Sequence, residues 1–183
     1  MISLTSPGGS VQIREAVAAD QTAIRTLHLD VFGEEGEAVS VLVTELLADA
    51  TARPLLALVA ETDGEVIGSV IFSTVQVTGS GHVRACILAP LAVAKGFQRQ
   101  GVGRELVEHG LKTLRERGVQ LVFVLGDPGY YRRFGFSHQH RVRAPYPLAY
   151  PEAWMALALQ GDALDAVSGR LVCARSLDRP EHW

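Results

Sequence analysis

Residues 83–106 constrain the chain more than any other stretch. VRACILAPLAV (83–93) is rich in β-forming residues and reads as a strand, yet Pro90 stands inside it. A proline donates no ladder hydrogen bond, so this strand must bulge or lose a pairing near Pro90. FQRQGVGREL (97–106) follows, with Gly101 and Gly103 one residue apart. An amphipathic run comes next. Leu106, Val107, Gly110, Leu111 and Leu114 fall on one helical face, and Arg104, Glu105, Glu108, Lys112 and Arg115 fall on the other. A strand that runs through a glycine turn into a helix gathers unpaired backbone N–H groups at one point. Here they are those from Arg99 to Arg104, including Gln100 and Val102, and the helix dipole adds positive potential. Gly101 and Gly103 leave room for close approach, and Arg99 and Arg104 add charge. A phosphate or pyrophosphate suits such a loop. A plain strand-to-helix turn, with its glycines kept for packing, suits the same residues.

Two nucleotide-binding signatures are excluded. Gly96 and Gly101 have the spacing of a nucleoside-triphosphate loop, but Val102-Gly103 follows where Lys-Ser or Lys-Thr is required. A dinucleotide fingerprint needs a glycine at 106, which is Leu106.

The rest of the chain supplies a frame for this loop. VQIREA (11–16) alternates like a strand. Asp20 stands where a helix cap belongs, ahead of Ile24, Leu27, His28 and Val31 at helical spacing. A second helical face carries Val39, Leu42, Val43, Leu46 and Leu47. Two β-rich runs flank Asp63-Gly64, a favoured pair for a tight hairpin turn. VQLVFVL (119–125) is apolar throughout, as for a strand covered on both faces. DPGYYRRFGF (127–136) reads as a short helix at most, and WMALAL (154–159) as a last strand. The first ten residues read as loose, and 161–183 are turn-rich and weakly patterned. The expected fold class is mixed α/β around a central sheet.

At 183 residues the chain suits a single domain, with a core over 10–160 and a C-terminal extension over 161–183. A formal net charge of −3 gives no bulk attraction for nucleic acid. No run of roughly 18 apolar residues marks a membrane span, and the N-terminus has no signal-peptide pattern. A cytoplasmic protein is the default expectation. Cys86 and Cys173 have no partner at zinc or disulfide spacing. His138 and His140 alternate on one side of a possible strand, but no third ligand is in view, so no metal is expected.

Gln98-x-x-Gly101-x-Gly103, preceded by PLAV (90–93), is similar to the acetyl-coenzyme A signature of the GNAT acetyltransferase superfamily. Tyr131-Arg-Arg-Phe-Gly135-Phe136 resembles that superfamily's Tyr-x-x-x-Gly-Phe segment, and LVFVLGDPGYY is similar to a bacterial GNAT subgroup with Leu-Gly-Asp-Pro before paired tyrosines. The resemblance implies a mostly antiparallel sheet with a splayed strand pair, flanked by helices. It implies acetyl-coenzyme A as co-substrate, its pyrophosphate on the amides of 98–104 and its pantetheine arm along Leu91, Ala92 and Val93, with an N–H near Val93 polarising the thioester. It also implies direct transfer to a primary amine, with Tyr131 as general acid. Tyr130 is expected to pack against the pantetheine or the core, and Asp127 stands where relatives carry asparagine.

Other assignments stay open. The acceptor is a small-molecule or peptide amine of unspecified identity. Glu34, Glu35 and Glu37 border its site in the superfamily, but no base is identifiable. Tyr146, Tyr150 and Trp154 line an acceptor pocket, a core or an interface. A homodimer is a reasonable expectation for a soluble enzyme. The competing reading is a non-catalytic acyl-coenzyme A binding or regulatory module on the same fold.

Overall fold

The computed structural model describes residues 4–6 and 9–183. Of the N-terminal stretch expected to be loose, residues 1–3 and 7–8 lie outside that description. Leu4–Ser6 forms β1, paired antiparallel with β2 (Gly9–Glu15). Two helices follow, α1 (Gln21–Val31) and α2 (Gly36–Ala48). Asp20 does not cap α1 with its side chain. Its carboxylate accepts from the Val17 N–H and from Arg14, both at 2.7 Å, and so fastens the entry turn to β2.

The hairpin of β3 (Leu56–Thr62) and β4 (Glu65–Val77) turns at Asp63-Gly64, both at positive φ, as its sequence requires. β5 (Ala85–Val93) pairs antiparallel with β4. Then come α3 (Val102–Glu116), β6 (Leu121–Leu125), the one-turn α4 (Pro128–Tyr131), β7 (Arg141–Arg143), β8 (Trp154–Ala158) and β9 (Ser168–Val172). The sheet runs β1-β2-β3-β4-β5-β6-β8, with β9 paired to β4 and to β7. Every pairing is antiparallel except β5–β6 and β7–β9.

The sheet opens where Pro90 required it. Residues Ala85 to Leu88 of β5 pair with Leu121 to Val124 of β6, and there the pairing stops. On the other edge Val70 faces Leu91 and Phe72 faces Leu88, so Ile71 stands against both Ala89 and Pro90. The extra residue is a bulge, and it bends β5 away from β6. The strand pair therefore splays.

α3 closes one face of the sheet. Val102, Leu106, Val107, Gly110, Leu111 and Leu114 are buried, which is the predicted apolar face with Val102 added. Each buried leucine contributes about 1.5–3 kcal/mol. On the solvent side Arg104 pairs with Glu108 and Lys112 with Glu116.

The C-terminal region departs most from expectation. β8 is not the last strand. β9 adds to the end of β4, where Gln76 faces Val172 and Val77 faces Leu171. Val167, Leu171, Ala174 and Leu177 are buried in the same cluster as Phe123 and Trp154.

Candidate functional site

β5 leaves a free edge beyond the bulge. Its register with β4 pairs Leu91 with Val70, Ala92 with Ser69 and Val93 with Gly68. The Ala94 N–H donates to the Ile67 carbonyl at 2.8 Å. Antiparallel ladders alternate, so Ala92 bonds toward β4, while the backbone groups of Leu91 and Val93 point to the edge that β6 has left. Gln98 occupies one of these groups, since its Nε2 donates to the Val93 carbonyl at 2.9 Å.

The loop after β5 then turns sharply. Arg99 has φ +59° and Gly101 φ +89°. Gln100 Nε2 donates to the Gly96 carbonyl at 3.0 Å, which holds the loop on itself. Gly101 precedes α3, and its carbonyl accepts from the Glu105 N–H at 2.9 Å. The amides of Val102, Gly103 and Arg104 thus lie in the first turn of α3, where no intrahelical carbonyl precedes them. Arg104 does not add its charge to this point in the way its position suggested. Its guanidinium bonds Glu108 at 2.8 Å, which raises its pKa. Arg99 is exposed.

α4 brings two tyrosines to the loop and the splay. Asp127 caps this helix, accepting from the Gly129 N–H at 2.8 Å, and Pro128 takes the first position. A Cβ on Gly103 would lie 2.8 Å from the Tyr130 hydroxyl and 3.6 Å from Val93. The end of β5, the first turn of α3 and Tyr130 therefore meet at Gly103. Arg133 stacks on the Tyr130 ring at 4.6 Å. Tyr131 is 9% exposed, packed edge-on against Tyr130 and Phe136 at 5.0 and 5.8 Å. Gly126 makes room for it, since a Cβ there would lie 2.5 Å from the Tyr131 ring. Burial pushes the Tyr131 pKa well above 10, and Tyr130 and Asp127 push it further.

A cavity of about 540 Å³ fills the splay. Its walls include Pro90 and Leu91 of β5, Gly126 and Asp127 after β6, and Tyr131. Phe32 and Glu35, from the connection between α1 and α2, form another side. Glu34 and Glu37 are absent from this lining. Leu177, Glu181 and His182 complete it. Sequence reading missed these last three, because 161–183 shows no helical or strand period.

Other candidate groups lie elsewhere. His28 is buried, with Nδ1 on the Ile24 carbonyl at 2.8 Å. His138 and His140 do not alternate on a strand. The Val142 N–H donates to His140 Nδ1 at 3.2 Å, so His140 Nε2 is the protonated nitrogen and donates to the Trp154 carbonyl at 3.0 Å. Among the described residues no group of three His, Cys, Asp or Glu could hold a metal ion. Trp154 is core, stacked on Phe123 at 5.4 Å. Tyr146 donates to the Asp178 carbonyl at 3.2 Å, and Tyr150 is 71% exposed. Tyr146 and Trp154 line a separate cavity of about 610 Å³ together with His138 and His140, and Tyr150 is not part of its wall. No helix among the described residues is long and apolar enough to cross a membrane.

A profile of the acetyltransferase (GNAT) family matches residues 22–136, from α1 through the Tyr131 segment. The chain belongs to that family. Its relatives include two Escherichia coli K12 proteins described as uncharacterized N-acetyltransferases, YjhQ and YhbS. YjhQ is 36% identical over 162 residues, covering 85% of this chain and 88% of the relative. YhbS is 39% identical over 160 residues, covering 86% and 92%. The crystal structure of Escherichia coli YhbS in complex with CoA superposes with TM-score 0.86, covering 97% of both chains at 36% identity. A GNAT acetyltransferase from Brucella melitensis in complex with acetyl-CoA gives TM-score 0.74 at 30% identity, covering 92% of this chain and 98% of that one. The splayed, mostly antiparallel sheet flanked by helices is thus the fold of GNAT acetyltransferases.

Proposed function

We propose that this GNAT acetyltransferase moves the acetyl group of acetyl-coenzyme A to a primary amine by direct attack, with Tyr131 as the general acid. One observation carries the reading. The free edge of Leu91 to Val93, the first-turn amides of α3 and the Tyr130–Tyr131 pair converge on a single splay that opens into a cavity. Two relatives of 30% identity or more hold coenzyme A or its acetyl ester.

Acetyl-coenzyme A supplies a thioester, whose carbonyl carbon accepts the amine and whose sulfur leaves. The amides of Val102, Gly103 and Arg104 hold its pyrophosphate, helped by the helix dipole. The pantetheine amides pair with the outward-facing groups of Leu91 and Val93, as an added strand would. The Val93 carbonyl already accepts from Gln98 and has a second lone pair for this pairing. A Val93 N–H aimed at the thioester oxygen stabilises the charge that develops there.

Tyr131 holds the proton that the leaving sulfur needs. Its ring is buried and forms part of the cavity wall. The raised pKa keeps the proton in place at neutral pH. A thiolate formed beside this buried ring is raised by desolvation as well, so transfer between them stays feasible. Glu35, the one acidic residue of its loop on the cavity wall, borders the acceptor's space.

Coenzyme A release, measured with putrescine, tyramine, glycinamide and alanylalaninamide, tests the reading. Tyr131→Phe is expected to lower kcat about 100-fold or more while acetyl-coenzyme A still raises the unfolding midpoint. Gly101→Val is expected to abolish that rise, because a β-branched residue at φ +89° deforms the loop. Binding of coenzyme A without turnover of any amine would favour the non-catalytic module.

A further inference from the structure

Direct transfer strips a proton from the amine, and the group that takes it is not among the residues carried by the family motif. The C-terminal turn Pro180–His182 brings Glu181 and His182 to the cavity that Tyr131 lines. This turn is fastened at several points. The Asp49 carboxylate, just past α2, accepts from the Ser176 N–H at 2.9 Å and its hydroxyl at 2.7 Å. Arg179 pairs with Glu45 of α2 at 3.1 Å. The Trp183 indole donates to the Leu177 carbonyl at 2.9 Å, and its ring packs edge-on against Trp154 at 5.5 Å.

His182 itself is left unpaired. Its Nε2 is sealed from solvent without a hydrogen-bond partner. Buried polar atoms nearly always find partners, so the orphaned nitrogen asks for one. The half-buried ring lines the cavity, and a turn of the side chain presents this nitrogen there. The charged groups around it come from its own turn, Arg179 and Glu181, and from Glu45 of α2. Burial lowers its pKa below 6.5; Glu181 and Glu45 oppose this and Arg179 adds to it. The ring is therefore neutral at pH 7 and has a lone pair to offer. Glu35 and Glu181 line the cavity too, but both are exposed.

We propose that His182, with its ring turned toward the cavity, is the proton acceptor for the attacking amine. The proposal rests on the acetyltransferase reading above. The amine nitrogen bonds to the acetyl carbon, and the carbon–sulfur bond breaks with its electron pair going to sulfur. The sulfur takes the Tyr131 proton, and the amine's proton goes to His182. Water then removes the proton from His182 and returns one to Tyr131, so the amide and free coenzyme A are the net products.

The test compares wild type, His182→Gln and His182→Ala, using acetyl-coenzyme A and the fastest amine of the four named above. In wild type, kcat is expected to fall as pH drops through the lowered imidazole pKa. His182→Gln is expected to lose about 100-fold or more in kcat and to lose that acid limb, while acetyl-coenzyme A still raises its unfolding midpoint. Added imidazole is expected to restore part of the His182→Ala rate, which a purely structural histidine would not permit. A His182→Gln enzyme with wild-type kcat and an unchanged acid limb overturns the proposal. So does a wild-type kcat that stays flat through the imidazole range, a readout that needs no variant to fold. If wild type binds acetyl-coenzyme A but acetylates none of the amines, the acetyltransferase reading itself fails, and the base has no amine to serve.

Discussion

Gly110 shows how much a single position can decide. It lies mid-helix on the buried face of α3, where alanine would ordinarily gain up to about 1 kcal/mol in helix propensity. A Cβ here, however, would stand 2.2 Å from the ring of Phe72, a fully buried β4 residue with no space to retreat. Overpacking of that kind costs about 1–3 kcal/mol, so the packing penalty outweighs the propensity gain. Gly110→Ala is expected to lower the urea midpoint with little change in slope. A raised midpoint would show that α3 can shift off the sheet. The sequence placed Gly110 on the right face but could not say why it is glycine, since Phe72 lies on a strand 38 residues earlier. Tyr131 was legible for a different reason. Its place is set by local spacing to Gly135 and Phe136, and the helix cap and turn that present it are written in the same ten residues. His182 had no such local signal, because its significance arises only when the C-terminal turn meets the splay.

At the level of elements, the strand–loop–helix unit was the most readable part of the chain. A proline inside a β run requires a bulge, and glycines before an amphipathic run require a turn, so β5, its loop and α3 follow from short-range chemistry. The contacts of single side chains in that unit were not readable. Arg104 turned to Glu108, and Gln98 turned back to the Val93 carbonyl, because each found a nearer partner than the loop. The link between α2 and the C-terminal segment was not readable either, since Asp49 and Ser176 are 127 residues apart. That link makes a prediction about acid stability. Burial alone would raise the Asp49 pKa, but the bonds from Thr51 and Ser176 prevail and hold it well below 3.8. A carboxylate depressed in the folded state adds stability above its unfolded pKa and loses it as pH falls through the folded one. Wild type should therefore lose stability below about pH 4. Asp49→Asn should be less stable at pH 7 and should lose less on acidification. Parallel denaturant midpoints at both pH values check this, and parallel slopes for the two proteins would remove Asp49 from the account.

Across the whole molecule, the fold class and the order of elements from β2 through β6 were present in the sequence because each of these elements carries its own period, whereas β1 fell in the stretch read as loose. The closing of the sheet was not. β7 and β9 are only three and five residues long, too short to establish a period, and β9 joins the far end of β4, a strand roughly ninety residues earlier. Sequence pattern therefore drew a boundary near residue 160 where packing draws none. Val167, Leu171, Ala174 and Leu177 belong to the cluster that holds Phe123 and Trp154, and Trp183 packs on that same tryptophan. Without residues 161–183, the edges of Gln76–Val77 and of β7 would lie bare beside a large uncovered apolar surface. Open strand edges next to exposed apolar area favour association over folding. A chain ending at residue 160 is therefore expected to be recovered mostly as aggregate, or as a soluble form without a cooperative thermal transition, and without stabilisation by acetyl-coenzyme A. Light scattering and thermal unfolding of the two lengths, side by side, measure this. A monomeric 1–160 chain that unfolds cooperatively near the wild-type midpoint would make the last 23 residues a true appendage. The cavity beside Tyr131 would then have to be rebuilt without Leu177, Glu181 and His182.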